Sequence, residues 1–316
     1  MDNYANLTRQ LTNFVLDFKQ QVLTDELIHA FKRALMDYLA ATITGSHQPV
    51  TQKVLDYLSK IDNRAISSVV GHRLRLSPLN AAFVNGTSAH NLDFDDGHTH
   101  GSIHMGGVVF PAVIAVAEHV NRSMEDVIRA GIVGYEIGAR LAAALHPNVW
   151  QRGYHNTPVI GIFGAVAAVA ILLDCDEEEM LDAFGHAGSF AGGLFEFLGE
   201  GADTKRFHPG KAARDAILAV ELAKRKISGP KHVLEGKHGF IKAFADGKIN
   251  LERLFDGLKS RYEIQNIYFK PYPCCRHLHG PIDAVKTLRK KANIQLQDIQ
   301  SITVGIGLSG IAMIAA

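Results

Sequence analysis

Three aspartates (Asp93, Asp95, Asp96) and four histidines (His90, His98, His100, His104) fall within NGTSAHNLDFDDGHTHGSIHMGGVVFP, residues 85–111. Carboxylates and imidazoles at this density can exchange protons near neutral pH. They could instead ligate a metal ion, with His98 and His100 beside the carboxylates supplying three or four donors. Against a metal, the chain has no HExxH and no paired CxxC spacing. The third reading is local: clustered polar side chains in loops often serve only turns and caps, a role that suits Asp95 and Asp96. All three readings stay open on this run alone. Such a polar, glycine-punctuated stretch predicts a loop held against a scaffold, not the middle of a core helix.

Three further runs could supply partners. Gly153-Tyr154-His155-Asn156-Thr157 sets a histidine just ahead of the apolar helix PVIGIFGAV. The positive end of a helix dipole favours neutral imidazole and receives carboxylates; a plain cap with a surface histidine is the alternative. DTKRFHPGK, residues 203–211, carries Lys205, Arg206 and Lys211 around an expected helix start at Pro209. It is a candidate carboxylate or phosphate anchor, although a solvated basic turn would look similar. Its Gly–Lys spacing is not that of a P-loop. KPYPCCRHLHG, residues 270–280, brings Lys270, Cys275, Arg276 and His277 close behind two prolines that stiffen the backbone. Adjacent Cys274 and Cys275 cannot easily share one tetrahedral zinc, so no metal is expected there. Gly161-Ile162-Phe163-Gly164 has no strand before it and reads as close helix packing, not as a nucleotide fingerprint.

These residues need a scaffold, and its pattern is helical. Leu7, Leu11, Phe14, Val15 and Phe18 recur at helical spacing, and Thr24-Asp25 opens a second helix that Gly45 closes. Another short helix covers 48–58, AISSVVGHRLR suggests a small hairpin, and Ser77-Pro78 starts the helix PLNAAFVNGTSAH, residues 78–90, whose end overlaps the polar run. Helices are expected at about 110–120, 123–145, 157–174 and 176–191, with Ser123 and Asp126 as a capping box. Their alanine and glycine content points to a compact many-helix bundle. From about Tyr262 the pattern becomes strand, turn, helix, strand, the last strand over 298–308. The fold class is therefore mainly α: an all-α domain over 1–265, then the beginning of a smaller α/β lid domain over 266–316. Two strands and a helix are too little for a core, so that second domain is expected to be incomplete.

The totals exclude several classes. With 33 basic and 32 acidic residues, net charge is +1, which gives no electrostatic case for nucleic acid or a membrane surface. The 47% hydrophobic and 21% charged fractions are those of a soluble globular protein. The N-terminus MDNYANLTRQ lacks the basic and apolar regions of a signal peptide. Three cysteines make no disulfide framework, and a reducing cytoplasm is the expected compartment.

Taken in order, NGTSAHNLDFDDGHTH followed by a histidine and VVFPA, GYHNTPVIGIFGA, GADTKRFHPGKAARDAILAVELA with SGP and LEGxxGF, and KPYPCCRHLHGPIDA resemble the MmgE/PrpD family. The resemblance runs from about residue 7 to 316. That family includes iron-independent 2-methylcitrate dehydratase, cis-aconitate decarboxylase and iminodisuccinate epimerase. It implies an all-α domain, an α/β lid, a cleft between them, a homodimer, and no metal or organic cofactor. Carried over, Asp93 matches the pocket aspartate, His104 the histidine after DFDD, and His155 that of the Gly-aromatic-His turn. Lys205 matches the lysine of TKxxHxG, and Lys270 that of KxYP. Where the decarboxylase branch has a histidine this chain has Cys275, which argues against decarboxylation and leaves Arg276 and His277 nearby.

The expected activity is then a lyase that dehydrates 2-methylcitrate or a similar hydroxy-tricarboxylate. His104 and His155 would exchange protons, Asp93 would orient one of them, and Lys205 and Lys270 would bind carboxylates, with Arg206 or Arg276 assisting. The alternatives are a dicarboxylate epimerase or isomerase, a truncated inactive relative, and a zinc enzyme.

Overall fold

The computed structural model describes residues 5–292, 294–307, 310, 311 and 314. The fold is mainly α, with fourteen α-helices and two small two-stranded sheets among the described residues. Helix α1 (Leu7–Phe18) turns Leu7, Leu11, Phe14, Val15 and Phe18 into the core, as their spacing requires. Helix α2 (Asp25–Ser46) begins where the Thr24 side chain accepts the Leu27 N–H, and α3 (Pro49–Ile61) begins on a proline. Strands β1 (Ser67–Ser68) and β2 (Arg75–Leu76) pair antiparallel as the expected hairpin, which leads into α4 (Pro78–His90).

Strand β3 (Gly97–His98) lies within the polar loop, and α5 (Gly106–Val120) follows it. Helix α6 (Met124–Leu145) carries the Ser123/Asp126 capping box, and α7 (Asn148–Gln151) is a single turn. Helix α8 (Asn156–Leu172) is buried along its whole length, which is why its sequence shows no polar stripe. Around it stand α9 (Glu177–Phe190), capped by Asp176 with Glu179, the one-turn α10 (Phe197–Glu200) and α11 (Thr204–Lys224). Two short helices, α12 (Phe240–Ala245) and α13 (Leu251–Phe255), precede β4 (Ile267–Tyr268) and α14 (His279–Ala292). No helix is long and apolar enough to cross a membrane among the described residues.

Three expectations change. Residues 85–90 belong to α4, as the helix PLNAAFVNGTSAH requires, and 106–111 to α5, so the polar run 85–111 is a loop only over 91–105. The amide and hydroxyl groups of 85–88 tolerate burial because each has a hydrogen-bond partner. The Thr87 and Ser88 hydroxyls donate to carbonyls four residues back, and the Asn85 amide pairs with the backbone of Ser68 and Val70. Second, α11 begins at Thr204, so Lys205, Arg206 and His208 ride on its first turns rather than precede it. Pro209, the sixth residue of that helix, forgoes one ladder hydrogen bond. Third, residues 299–307 carry no assigned strand, and Leu308 lies outside the described residues.

Small residues set the helix spacing. A Cβ on Gly86 would lie 2.5 Å from Gly210 Cα and 2.8 Å from the Gly107 carbonyl oxygen, all backbone. Helices α4, α5 and α11 thus meet at one point, directly beneath the polar loop. Gly86→Ala is expected to destabilise the fold by about 1–3 kcal/mol. A thermal unfolding midpoint equal to that of the parent chain would refute this close approach.

Candidate active site

Asp93 opens the loop in the left-handed region, at φ 51°, a conformation aspartate tolerates better than most side chains. Its Oδ2 lies 2.8 Å from Lys205 Nζ on α11, and its Oδ1 lies 2.6 Å from Lys270 Nζ. Lys270 Nζ also donates to the Asp93 carbonyl at 2.7 Å. Burial alone would raise the Asp93 pKa, but Lys205 and Lys270 outweigh it and hold the carboxyl well below its usual range. Asp93 in turn raises Lys270 against the desolvation that opposes its charge. Asp93 and Lys270 therefore stay ionised.

Lys270 reaches the loop because β4 pairs antiparallel with β3, Gly97 opposite Tyr268 and His98 opposite Ile267. His98 Nε2 adds a 2.8 Å hydrogen bond to Glu263. Behind this, buried Arg140 of α6 pairs with Glu136 and donates to the carbonyls of Leu254, Asp256 and Arg261. The segment that delivers Lys270 is thus fixed to the helical core.

The first histidine is set by a carbonyl. His104 Nδ1 lies 2.7 Å from the Asp96 carbonyl oxygen, which can only accept, so Nδ1 carries the hydrogen and Nε2 the lone pair. Burial pushes its pKa down to about 4, although Asp95 opposes the shift. At neutral pH His104 is an unprotonated base. His155 sits at the N-cap of α8 with its side chain free of capping duty, and its N–H donates to the Gly193 carbonyl at 2.9 Å. Its Nδ1 lies 3.0 Å from His208 Nδ1, and burial followed by His90 and His208 holds its pKa well below the usual value.

Behind His104 lies a buried acidic layer. Asp95 accepts from His90 Nδ1 at 2.8 Å and is held to about 2: burial would raise it, but His90 and His104 outweigh that. Asp96 accepts from the Tyr135 hydroxyl at 2.7 Å and the Gly106 N–H at 2.9 Å. Burial, then Asp37, pushes it up to about 7. Tyr135 itself packs on Phe110, whose ring also meets Phe31 and Tyr38, so the aromatic core positions the loop.

Asp93, His104, His155, Lys205, Lys270, Cys275, Arg276 and His277 line one cleft of about 370 Å³. Arg206 does not: it turns back to the Asn91 carbonyl and Asp203, where it secures the start of the loop. Asp93 orients no histidine; it binds the two lysines, and the Asp96 carbonyl orients His104 instead. His100 is exposed outside the cleft. Thr99 and Tyr268 join the lining unannounced by any motif: Arg276 donates to Thr99 Oγ1 at 2.9 Å and stacks 3.9 Å over the Tyr268 ring. His208 also escapes a sequence reading that starts the helix at Pro209. On a helix from Thr204 it lies one turn from Lys205, on the same face.

His90, Asp95 and His104 offer ligand atoms within 4.8 Å of one another, as a metal site would. Their Nδ1 atoms are already spent, one on Asp95 and one on the Asp96 carbonyl, and the Lys270 charge bears on both Asp95 and His104. An anion fits better. Each ammonium has three donors; Lys205 spends one on Asp93 and Lys270 two, which leaves donors on both for a substrate carboxylate.

Residues 9–252 match the MmgE/PrpD N-terminal domain model. A cis-aconitate decarboxylase-like protein of Aspergillus oryzae is 29% identical over 96% of this chain and 66% of its own length. Cis-aconitate decarboxylase of Aspergillus terreus is 28% identical over 91% and 61%, and that of Homo sapiens 32% identical over 90% and 60%. The chain thus spans about three fifths to two thirds of the length of these relatives.

Asp93→Ala leaves the buried Lys270 ammonium without its counter-ion and is expected to cost about 3 kcal/mol of unfolding free energy, measured by denaturant titration. For Asp96 the folded pKa, about 7, is raised above the unfolded value. Its proton therefore stabilises the fold fully below about pH 4, and that stability is lost as pH rises through 7. The non-titrating Asp96→Asn should gain on the parent chain between these limits; a pH-independent difference in unfolding free energy would contradict the assignment.

Proposed function

We propose that this chain, which belongs to the MmgE/PrpD family, is a lyase that works on a small tricarboxylate by acid/base chemistry between His104 and His155. The observation that carries the reading is the His104–Asp96 carbonyl bond. It leaves a neutral Nε2 lone pair in a cleft that also holds Lys205, Lys270 and Arg276.

A carboxylate bound by these cations makes the hydrogen on its neighbouring carbon more acidic, because negative charge developing in the transition state falls among fixed positive groups. His104 Nε2 takes that hydrogen as general base and His155 returns a proton on the other side. In a dehydration the C–H and C–O bonds break, a C=C bond forms, and the departing hydroxyl leaves as water with the proton from His155. A low pKa suits His104 to the base role, since it is not trapped as a cation at neutral pH. His155, also held neutral, gives the hydrogen of its ring N–H and recovers one, by way of solvent, from the proton His104 has taken.

Dehydration of 2-methylcitrate or a similar hydroxy-tricarboxylate is the reading we favour, and Cys275, in place of the histidine of the decarboxylase branch, supports it. A second reading, decarboxylation of an unsaturated tricarboxylate, is favoured by the relatives, which are named as cis-aconitate decarboxylases. It uses the same groups: the C–C bond to a carboxylate breaks, CO2 leaves, and a histidine protonates the carbon left behind. We propose a homodimer in the cytoplasm with no metal or organic cofactor as the working form. Sedimentation mass and metal analysis of the purified chain test that form.

The deciding assay supplies 2-methylcitrate, citrate and cis-aconitate in turn, and follows absorbance from a new C=C bond and release of CO2. Turnover of a hydroxy acid establishes dehydration, CO2 from cis-aconitate establishes decarboxylation, and inertness towards all three sinks the lyase reading. With whichever substrate reacts, His104→Ala should lower kcat by about 10²-fold or more. Lys205→Met should act chiefly on KM.

A further inference from the structure

Of the two histidines assigned proton transfer, His155 has a buried partner with no task in the scheme above. His155 is 4% exposed, His208 3%, and their Nδ1 atoms stand 3.0 Å apart. Two ring nitrogens at this distance share one hydrogen: one is the N–H donor, the other a bare acceptor. The side on which it sits decides what His155 presents at its remaining nitrogen. If Nδ1 accepts, Nε2 carries a hydrogen; if Nδ1 donates, Nε2 is a lone pair.

Both rings are held against rotation. His155 packs against Phe195 at 5.2 Å and Phe197 at 5.5 Å, and its backbone is strapped to Gly193 while Phe195 N–H donates to Gly153. His208 sits on α11 between Phe197 at 5.7 Å and Phe207 at 5.9 Å. The charged and titratable groups that face the pair are His90, His104 and Lys205, with Lys211 toward His208. None is anionic, so the surroundings favour one shared hydrogen over a second proton.

The direction follows from His104. Its Nδ1–H is committed to the Asp96 carbonyl, so that ring offers the cleft an acceptor. A cleft that removes a proton at one atom and returns one at another needs a donor as well.

We propose that His208 is a positioning residue: its Nδ1–H donates to His155 Nδ1 and holds His155 as the Nε2–H tautomer, the proton donor of the cleft. The direction of the bond rests on the acid/base reading above; the pairing rests on geometry alone.

The tautomers can be read without any substrate, by heteronuclear NMR on the full chain with histidine labelled at its ring nitrogens. His155 should carry its hydrogen on Nε2 and His208 on Nδ1; the opposite pair overturns the proposal. His208→Phe keeps a ring but no donor, while His208→Asn keeps an N–H near the Nδ1 position. With the substrate found above, the Phe variant should lose about 10²-fold in kcat with KM little changed, and its His155 should become a tautomer mixture. The Asn variant should recover most of the rate and the Nε2–H tautomer. Equal rates in the two variants would overturn the proposal. Should either variant fail to fold, the tautomers of the parent chain still decide. If those tautomers are as expected and no tricarboxylate turns over, the lyase reading falls while the pairing stands.

Discussion

The Asp93 carboxylate, gripped by Lys205 on one oxygen and Lys270 on the other, joins three parts of the chain: the loop after α4, the first turn of α11 and the segment behind β4. Lys270 has almost no exposed side chain, and such a cation is tolerated in a protein only beside a well-placed anion. The left-handed backbone at Asp93 costs about 1 kcal/mol, and two charge-assisted hydrogen bonds offset it. The same carboxylate keeps two like charges close together without repulsion driving them apart. Two ammonium groups against one carboxylate leave a net positive cleft, and Arg276 adds to it.

Around this clamp, burial does opposite things to acids and bases. The acids behind the loop, Asp37 and Asp96, hold their protons to higher pH, to about 6 and about 7, chiefly through burial. The imidazoles in front, His104, His155 and His208, give theirs up. Desolvation penalises whichever form is charged, so a single low-dielectric region raises the acids and lowers the bases. Asp95 and Asp93 escape because each faces partners of opposite or potentially opposite charge. At the cleft stands the Asp93–Lys205–Lys270 cluster.

Glycine spacing beneath the loop has a direct bearing on this arrangement. Gly86, Gly107 and Gly210 let α4, α5 and α11 touch through their backbones, which brings His90 at the end of α4 near His104 and His155. Any side chain there would spread the helices, and the histidines would part with them. Close packing in the scaffold and proton chemistry above it are one constraint.

Much was legible in the residues alone. Periodicity gave α1 and α2, the Ser123/Asp126 capping box gave α6, and alanine-glycine helices gave the bundle, because these depend on contacts a few residues apart. The ordered motifs named the family and brought out Asp93, His104, His155, Lys205 and Lys270, all of which line the cleft. The sequence could not show partners distant along the chain. It left Asp93 with a histidine rather than two lysines, placed Arg206 in the cleft when it braces the loop, and passed over His208 and Tyr268. It read 85–90 both as the end of a helix and as the start of the polar loop; burial and local hydrogen bonds put them in α4. Residue types pointed to acid/base groups and cations here. Which ring nitrogen holds a hydrogen, and which cation is free, only the tertiary structure decided, because both depend on atoms brought within 3 Å by helices far apart in the chain.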